Sequence, residues 1–145
     1  MRNNFPSVTV GGVDAAVATH QDVVRIYEQA WNAHVFDFES DVGRFMAPDI
    51  TIVSGGTLGG RSLLREISDA RADYVRGTRA TATLNSEIMY AADIGIAVVV
   101  VAEGDLSFAY PDRTAYAQRL LTSSTLRLLD GAWVFQHIHF GRGCS

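Results

Sequence analysis

The hydrophobic period of this chain changes once, at Gly77, and that change restricts the fold more than any other feature. Before it, apolar residues recur at three-to-four spacing, the period of a helix buried on one side. His20, Val23, Val24, Tyr27, Ala30, Trp31 and His34 make such a stripe between Asp14, the expected N-cap, and about His34. A short second helix is predicted from Phe38 to Met46, ended by Pro48. A short strand follows over Asp49–Ser54, then a glycine-rich loop, then a third helix from Ser62 to about Arg76. Beyond Gly77 the segments Thr81–Tyr90, Gly95–Phe108, Thr114–Leu129 and Ala132–Phe140 read as strands, with Asp93-Ile94-Gly95, Tyr110-Pro111-Asp112 and Asp130-Gly131 as turns. Helices in front and hairpin strands behind predict an α+β fold with an antiparallel sheet. Strands as long as Thr114–Leu129 must twist and coil. A coiled sheet covered by helices is a cone, and its mouth is a natural pocket.

The chain of 145 residues fits one domain, expected over 14–145, behind an irregular arm at 1–13. Net charge is −4, without a run of basic residues, so nucleic acid is not an expected partner. All twelve basic residues are arginine, which excludes a lysine Schiff base and a Walker A phosphate loop. The single cysteine, Cys144, cannot form an internal disulfide, and neither a leader nor an apolar run of membrane-spanning length is read, so a cytoplasmic protein is expected.

Three segments resemble one family. Tyr27-Glu28-Gln29-Ala30-Trp31-Asn32-Ala33-His34, Phe45-Met46-Ala47-Pro48-Asp49-Ile50-Thr51-Ile52-Val53 and the closing Asp130-Gly131-Ala132-Trp133 with His137-Ile138-His139 are similar to the SnoaL-like polyketide cyclases of the nuclear transport factor 2-like superfamily. The Gly59-Gly60-Arg61 step into a helix fits as well, and the resemblance covers about Asp14 to Phe140. It implies a cone-shaped sheet with three N-terminal helices around a pocket, and a homodimer. The superfamily hosts ketosteroid isomerases, cyclases, dehydratases, epoxide hydrolases and a kinase association domain. In the isomerases a first-helix tyrosine serves the oxyanion, and Tyr27 stands in that place. Their general base falls on Ser54, and their second oxyanion acid near Leu121 or Thr122. The association domain's two pocket arginines fall on Phe140 and Ser124. A pocket without those charges suits an apolar ligand.

The residues themselves give the remaining candidates. Tyr27 and Trp31 lie one turn apart and share a helix face, as a pocket wall with a phenol donor or as plain core. His137 and His139 alternate on a strand and so point the same way; they suit an acid–base role, a structural pair or, lacking a third ligand, only weakly a metal. Glu103 ends an apolar run, either as a carboxylate at the pocket mouth or as a solvated strand end. Tyr116, Gln118 and Thr122 share a strand face that lines the pocket or the outer surface. The glycine loop from Ser54 to Gly60 matches no phosphate-binding fingerprint and reads as a flexible connection.

The resemblance implies a cyclase of secondary metabolism, of the kind found in polyketide antibiotic biosynthesis. It would close a ring by an aldol, epoxide-opening or pericyclic step without cofactor or metal. Tyr27, His137 and Glu103 are the expected catalytic groups. Trp31, Ser54, Tyr116, Gln118, Thr122, His139 and Phe140 are the expected substrate contacts. A non-catalytic binding or association module, or an isomerase or dehydratase, is the alternative. The expected partners are an apolar small molecule and a second copy of the chain, with no membrane.

Overall fold

The computed structural model describes residues 12–142. Most of the expected arm and Cys144 lie outside the described residues. The elements in order are α1 (Gly12–Ala33), α2 (Phe38–Asp41), a 3-10 turn (Gly43–Phe45), β1 (Met46–Ser54), β2 (Thr57–Gly59), α3 (Arg61–Thr78), β3 (Thr81–Asp93), β4 (Val98–Ala109), β5 (Tyr116–Leu129) and β6 (Ala132–Arg142). Gly12 and Val13 are already helical, so α1 begins before Asp14, which sits in its first turn.

The second helix is one turn long rather than three. Asp37 caps it, accepting from the Ser40 amide at 2.9 Å, and Val42 leaves helical geometry at φ −124°. Pro48 therefore ends no helix. It sits within β1, where the pairing with β6 is interrupted between Met46 and Thr51, so its missing N–H costs no ladder bond. The glycine loop is a second departure. Gly55 and Gly56 hold φ of 57° and 80° in a two-residue turn that folds β2 back on β1, with Ser54 paired to Thr57. It joins two strands instead of a strand and a helix.

The strand order is β2-β1-β6-β5-β4-β3. β1 and β6 run parallel while every other neighbour pair is antiparallel, so the sheet is mixed rather than antiparallel throughout. Alternation places Val98, Val100, Ala102, Leu106 and Phe108 of β4 inward and buried. Two irregularities bend the sheet. One lies between Ile88 and Tyr90 of β3, and the other at Gln136 of β6, which has no partner between the pairs Leu126–Phe135 and Thr125–His137. Gln136 is pinned there: its amide donates to Asp49 Oδ1 at 3.2 Å and its carbonyl accepts from Arg127 Nε.

The concave face is covered by α1 and α3. At one end Val23, Phe38, Ile50, Val100, Leu126 and Phe135 share a core. At the other, Trp31, Val75, Ala82, Leu106 and Phe108 make a second one. The free edge of β3 is closed by side chains of α1. Asn32 donates to the Ala82 carbonyl at 2.8 Å and accepts from the Ala82 amide at 2.7 Å, while Glu28 accepts from the Leu84 amide at 2.7 Å. Among the described residues no helix is long and apolar enough to cross a membrane.

Candidate active site

Between the two core clusters the helices stand off the sheet, leaving a cavity of about 570 Å³. One stripe of α1 (His20, Val23, Val24, Tyr27, Trp31) forms a wall of it. Leu64, Ile67, Ser68 and Arg71 of α3 form the second wall, and inward residues of β3 to β6 form the floor. Within the floor β3 and β4 approach closely at Gly104, where a β-carbon would collide with the Asn85 carbonyl of β3.

Tyr27 is the polar group nearest the middle of the helix wall. Its ring lies 5.1 Å from that of Trp31 and stacks on Phe36 at 5.5 Å. Its hydroxyl lies 2.8 Å from Ser68 Oγ, and Ser68 donates to the Leu64 carbonyl at 2.8 Å. A serine has one proton to give, so Tyr27 must donate to Ser68. Both protons are thus consumed inside the protein. Burial pushes the Tyr27 hydroxyl up to about 12.

His20 lies two turns earlier on the same stripe, 5% exposed, with its ring 5.7 Å from that of Phe135. Burial pulls it down to about 4, so it is neutral at pH 7. Three buried polar atoms have no partner among the described residues: His20 Nδ1, Trp31 Nε1 and Ser124 Oγ. All three belong to residues that border the cavity. The sequence does not single out His20 as a site residue, and it marks Ser124 only as the place of a pocket arginine in the association domain. The helix stripe held the only signal for His20, and that stripe reads equally as core.

The structure brings together Tyr27, Trp31, Ser54, Gln118, Thr122 and Phe140 around the cavity. Ser54 arrives with the β1–β2 turn, and Thr122 and Phe140 are cross-strand partners on the floor. Three other expectations need correction. Glu103 borders the cavity through its place on β4, but it alternates with the inward Ala102, and its carboxylate pairs with Arg119 of β5. Its carboxylate is engaged in that ion pair rather than free in the cavity. His137 does share a face with His139, yet that face is the convex one: its Nδ1 lies 2.6 Å from Thr51 Oγ1, and His139 is exposed even though it borders the cavity. Tyr116 shares the parity of Gln118 but stands clear of the cavity at 54% exposure. Among the described residues no three His, Cys, Asp or Glu side chains come together as metal ligands.

No family model matches the chain, and no curated protein does. Solved structures do match, three of them over nearly their whole length. An NTF2-like protein from Cytophaga hutchinsonii is 14% identical, with a TM-score of 0.64, covering 90% of this chain and 97% of that one. A provisionally assigned dehydratase of the NTF2-like family from Streptomyces avermitilis is 14% identical, with a TM-score of 0.63 and coverage of 91% and 99%. A provisionally assigned ketosteroid isomerase from Shewanella frigidimarina is 20% identical, with a TM-score of 0.60 and coverage of 90% and 98%. At such identities the likeness is one of fold: this chain adopts the nuclear transport factor 2-like fold, some of whose holders are assigned as enzymes and others left without a function.

Proposed function

We propose that the chain is a ring-closing enzyme that folds a bulky, largely apolar polyketide-type intermediate in its cavity and accelerates closure by holding the reacting ends together. One observation carries the reading. Among the described residues that border the cavity the single acid is Glu103, and its carboxylate is spent on Arg119. The phenol of Tyr27 is spent on Ser68, and His20 is held neutral. Apart from His139, which borders the cavity from an exposed position, proton-transfer chemistry has little to work with, whereas proximity alone supplies up to roughly 7–11 kcal/mol when the bound geometry is near that of reaction. A pericyclic closure such as a [4+2] addition is an isomerisation, so atoms balance without oxidant, reductant or metal. A cytoplasmic location belongs to the same reading. The second reading, a non-catalytic binding module, draws on the same poverty of acid–base groups.

The test is to incubate the protein with linear polyene-bearing polyketide-type substrates and look for a product of unchanged mass and altered retention. Tyr27→Phe is expected to keep at least about a third of the wild-type rate, because the lost proton went to Ser68. A donor serving developing charge would instead cost roughly 10²–10³ in rate. Trp31→Ala, checked by thermal melting to be folded, is expected to lose tenfold or more, because it removes the wall that bends the substrate. A Tyr27→Phe collapse with Trp31→Ala intact would reverse the assignment to acid–base chemistry. Binding of apolar probes without turnover of any substrate would favour the module.

A further inference from the structure

The cavity is not wholly apolar, and its exception has a definite chemistry. Arg71 lies one turn beyond Ser68 on α3, so it faces the same cavity, and it is the only arginine among the bordering residues. Arg25, Arg61, Arg65, Arg76, Arg119 and Arg127 each pair with a carboxylate. Arg71 has no such partner among the described residues. It is half-buried, and its polar contact is with the side-chain carbonyl of Gln118 at 3.4 Å. That orientation leaves the Gln118 amide N–H groups to donate elsewhere. Leu84, Leu106 and Leu120 border the same part of the cavity. A guanidinium half-withdrawn from water with no counter-charge pays desolvation without return. A guanidinium and an amide donor side by side form a receptor for a planar anion.

We infer that Arg71 and Gln118 form an anion subsite and that the cavity's ligand carries a carboxylate. One cation matches one negative charge, and this chain has no lysine to add a second. A phosphate monoester, close to doubly charged at neutral pH, would enter under-compensated. The apolar body of the ligand then runs from Arg71 past Tyr27 along the α1 stripe toward His20, which lies seven residues, or about 10 Å, up the helix from Tyr27. The inference rests on the proposal that a small molecule occupies this cavity, and it replaces the expectation of a purely apolar ligand with an amphipathic one.

Displacement of a neutral apolar dye by decanoic acid, 1-decanol and decyl phosphate tests it directly. Wild type is expected to bind the acid at least about tenfold more tightly than the alcohol, the size of one charge-assisted hydrogen bond. It should bind the phosphate more weakly than the acid. Arg71→Gln should erase the preference for the acid and leave affinity for the alcohol within a factor of three. Equal affinity of wild type for acid and alcohol, a preference that survives Arg71→Gln, or tighter binding of the phosphate each overturns the inference. Failure of all three probes to enter overturns it together with the cavity reading. A preference that depends on Arg71 in a protein that turns over no substrate leaves the subsite standing and removes the ring-closing activity alone.

Discussion

His20 shows how much one side chain in this cavity wall can report. Its burial between α1 and Phe135 penalises the charged form, and its buried Nδ1 has no partner among the described residues, so the folded protein holds it neutral with its pKa lowered from 6.5 to about 4. The sign follows from proton counting. Between those two values the unfolded chain binds a proton at this position and the folded one does not, so stability rises with pH there. The contribution is complete above about pH 6.5, is lost as pH falls toward 4, and changes no further below that. Its size is about 3 kcal/mol. Urea denaturation across this window should show wild type losing that much more stability than His20→Leu, in which other groups titrate unchanged. Parallel curves for the two would show that His20 is solvated. The sequence placed His20, Tyr27 and Trp31 on one stripe because helical spacing is local. It could not separate the cavity part of that stripe from plain core, since apolar surroundings look alike from either side. The side on which Glu103 and His137 fall is open in the sequence for a related reason: strand alternation says which residues share a face, not which face is concave.

Between elements, the join of α1 to β3 carries more than its size suggests. An edge strand exposes unpaired backbone groups. Here Asn32 satisfies both the amide and the carbonyl of Ala82, a residue only 1% exposed, and Glu28 takes the amide of Leu84. The helix thereby acts as a seventh partner of the sheet at the end where Trp31 and Leu84 border the cavity. Asn32→Ala leaves two buried backbone groups unpaired and is expected to cost about 2–4 kcal/mol. Asn32→Asp, which keeps the acceptor, should recover part of that loss. A melting temperature unchanged by Asn32→Ala would show that water replaces the bracket. The residue pair was visible within the Tyr27–His34 segment, but only as part of a resemblance; its reason lies fifty residues away in β3. The parallel pairing of β1 with β6 and the Gln136 bulge were illegible for the same cause. Both are long-range registers, set by Asp49, Arg127 and Gln136 meeting across three strands. The order of helices and strands, by contrast, was read almost as it stands, because hydrophobic period is written into each segment.

At the scale of the whole molecule, the convex face of the sheet bears on assembly. The run Ile96–Ala102 is apolar at every position, and inward alternation accounts for only half of it. Val99 and Val101 point the other way and are half-buried in a single chain. Around them, on the same face, lie Tyr90 opposite Val101 and Leu121 opposite Glu103, at 59% and 41% exposure. A strand apolar on both faces belongs between two layers. Among the described residues the helices cover only the concave one, and we propose that a second copy of the chain covers the other. In such a dimer the Glu103–Arg119 pair would set two opposite charges side by side within a self-complementary patch. A stable dimer of this kind needs roughly 800 Å² from each partner. Light scattering at micromolar concentration is therefore expected to give twice the mass of one chain. Val101→Glu places a charge in the patch, on the sheet face opposite the cavity, and should return a folded single chain that still binds cavity probes. If wild type already runs as a single chain at that concentration, the convex face is free and β4 carries its outward valines for strand propensity alone. If Val101→Glu instead remains dimeric, the two copies meet elsewhere.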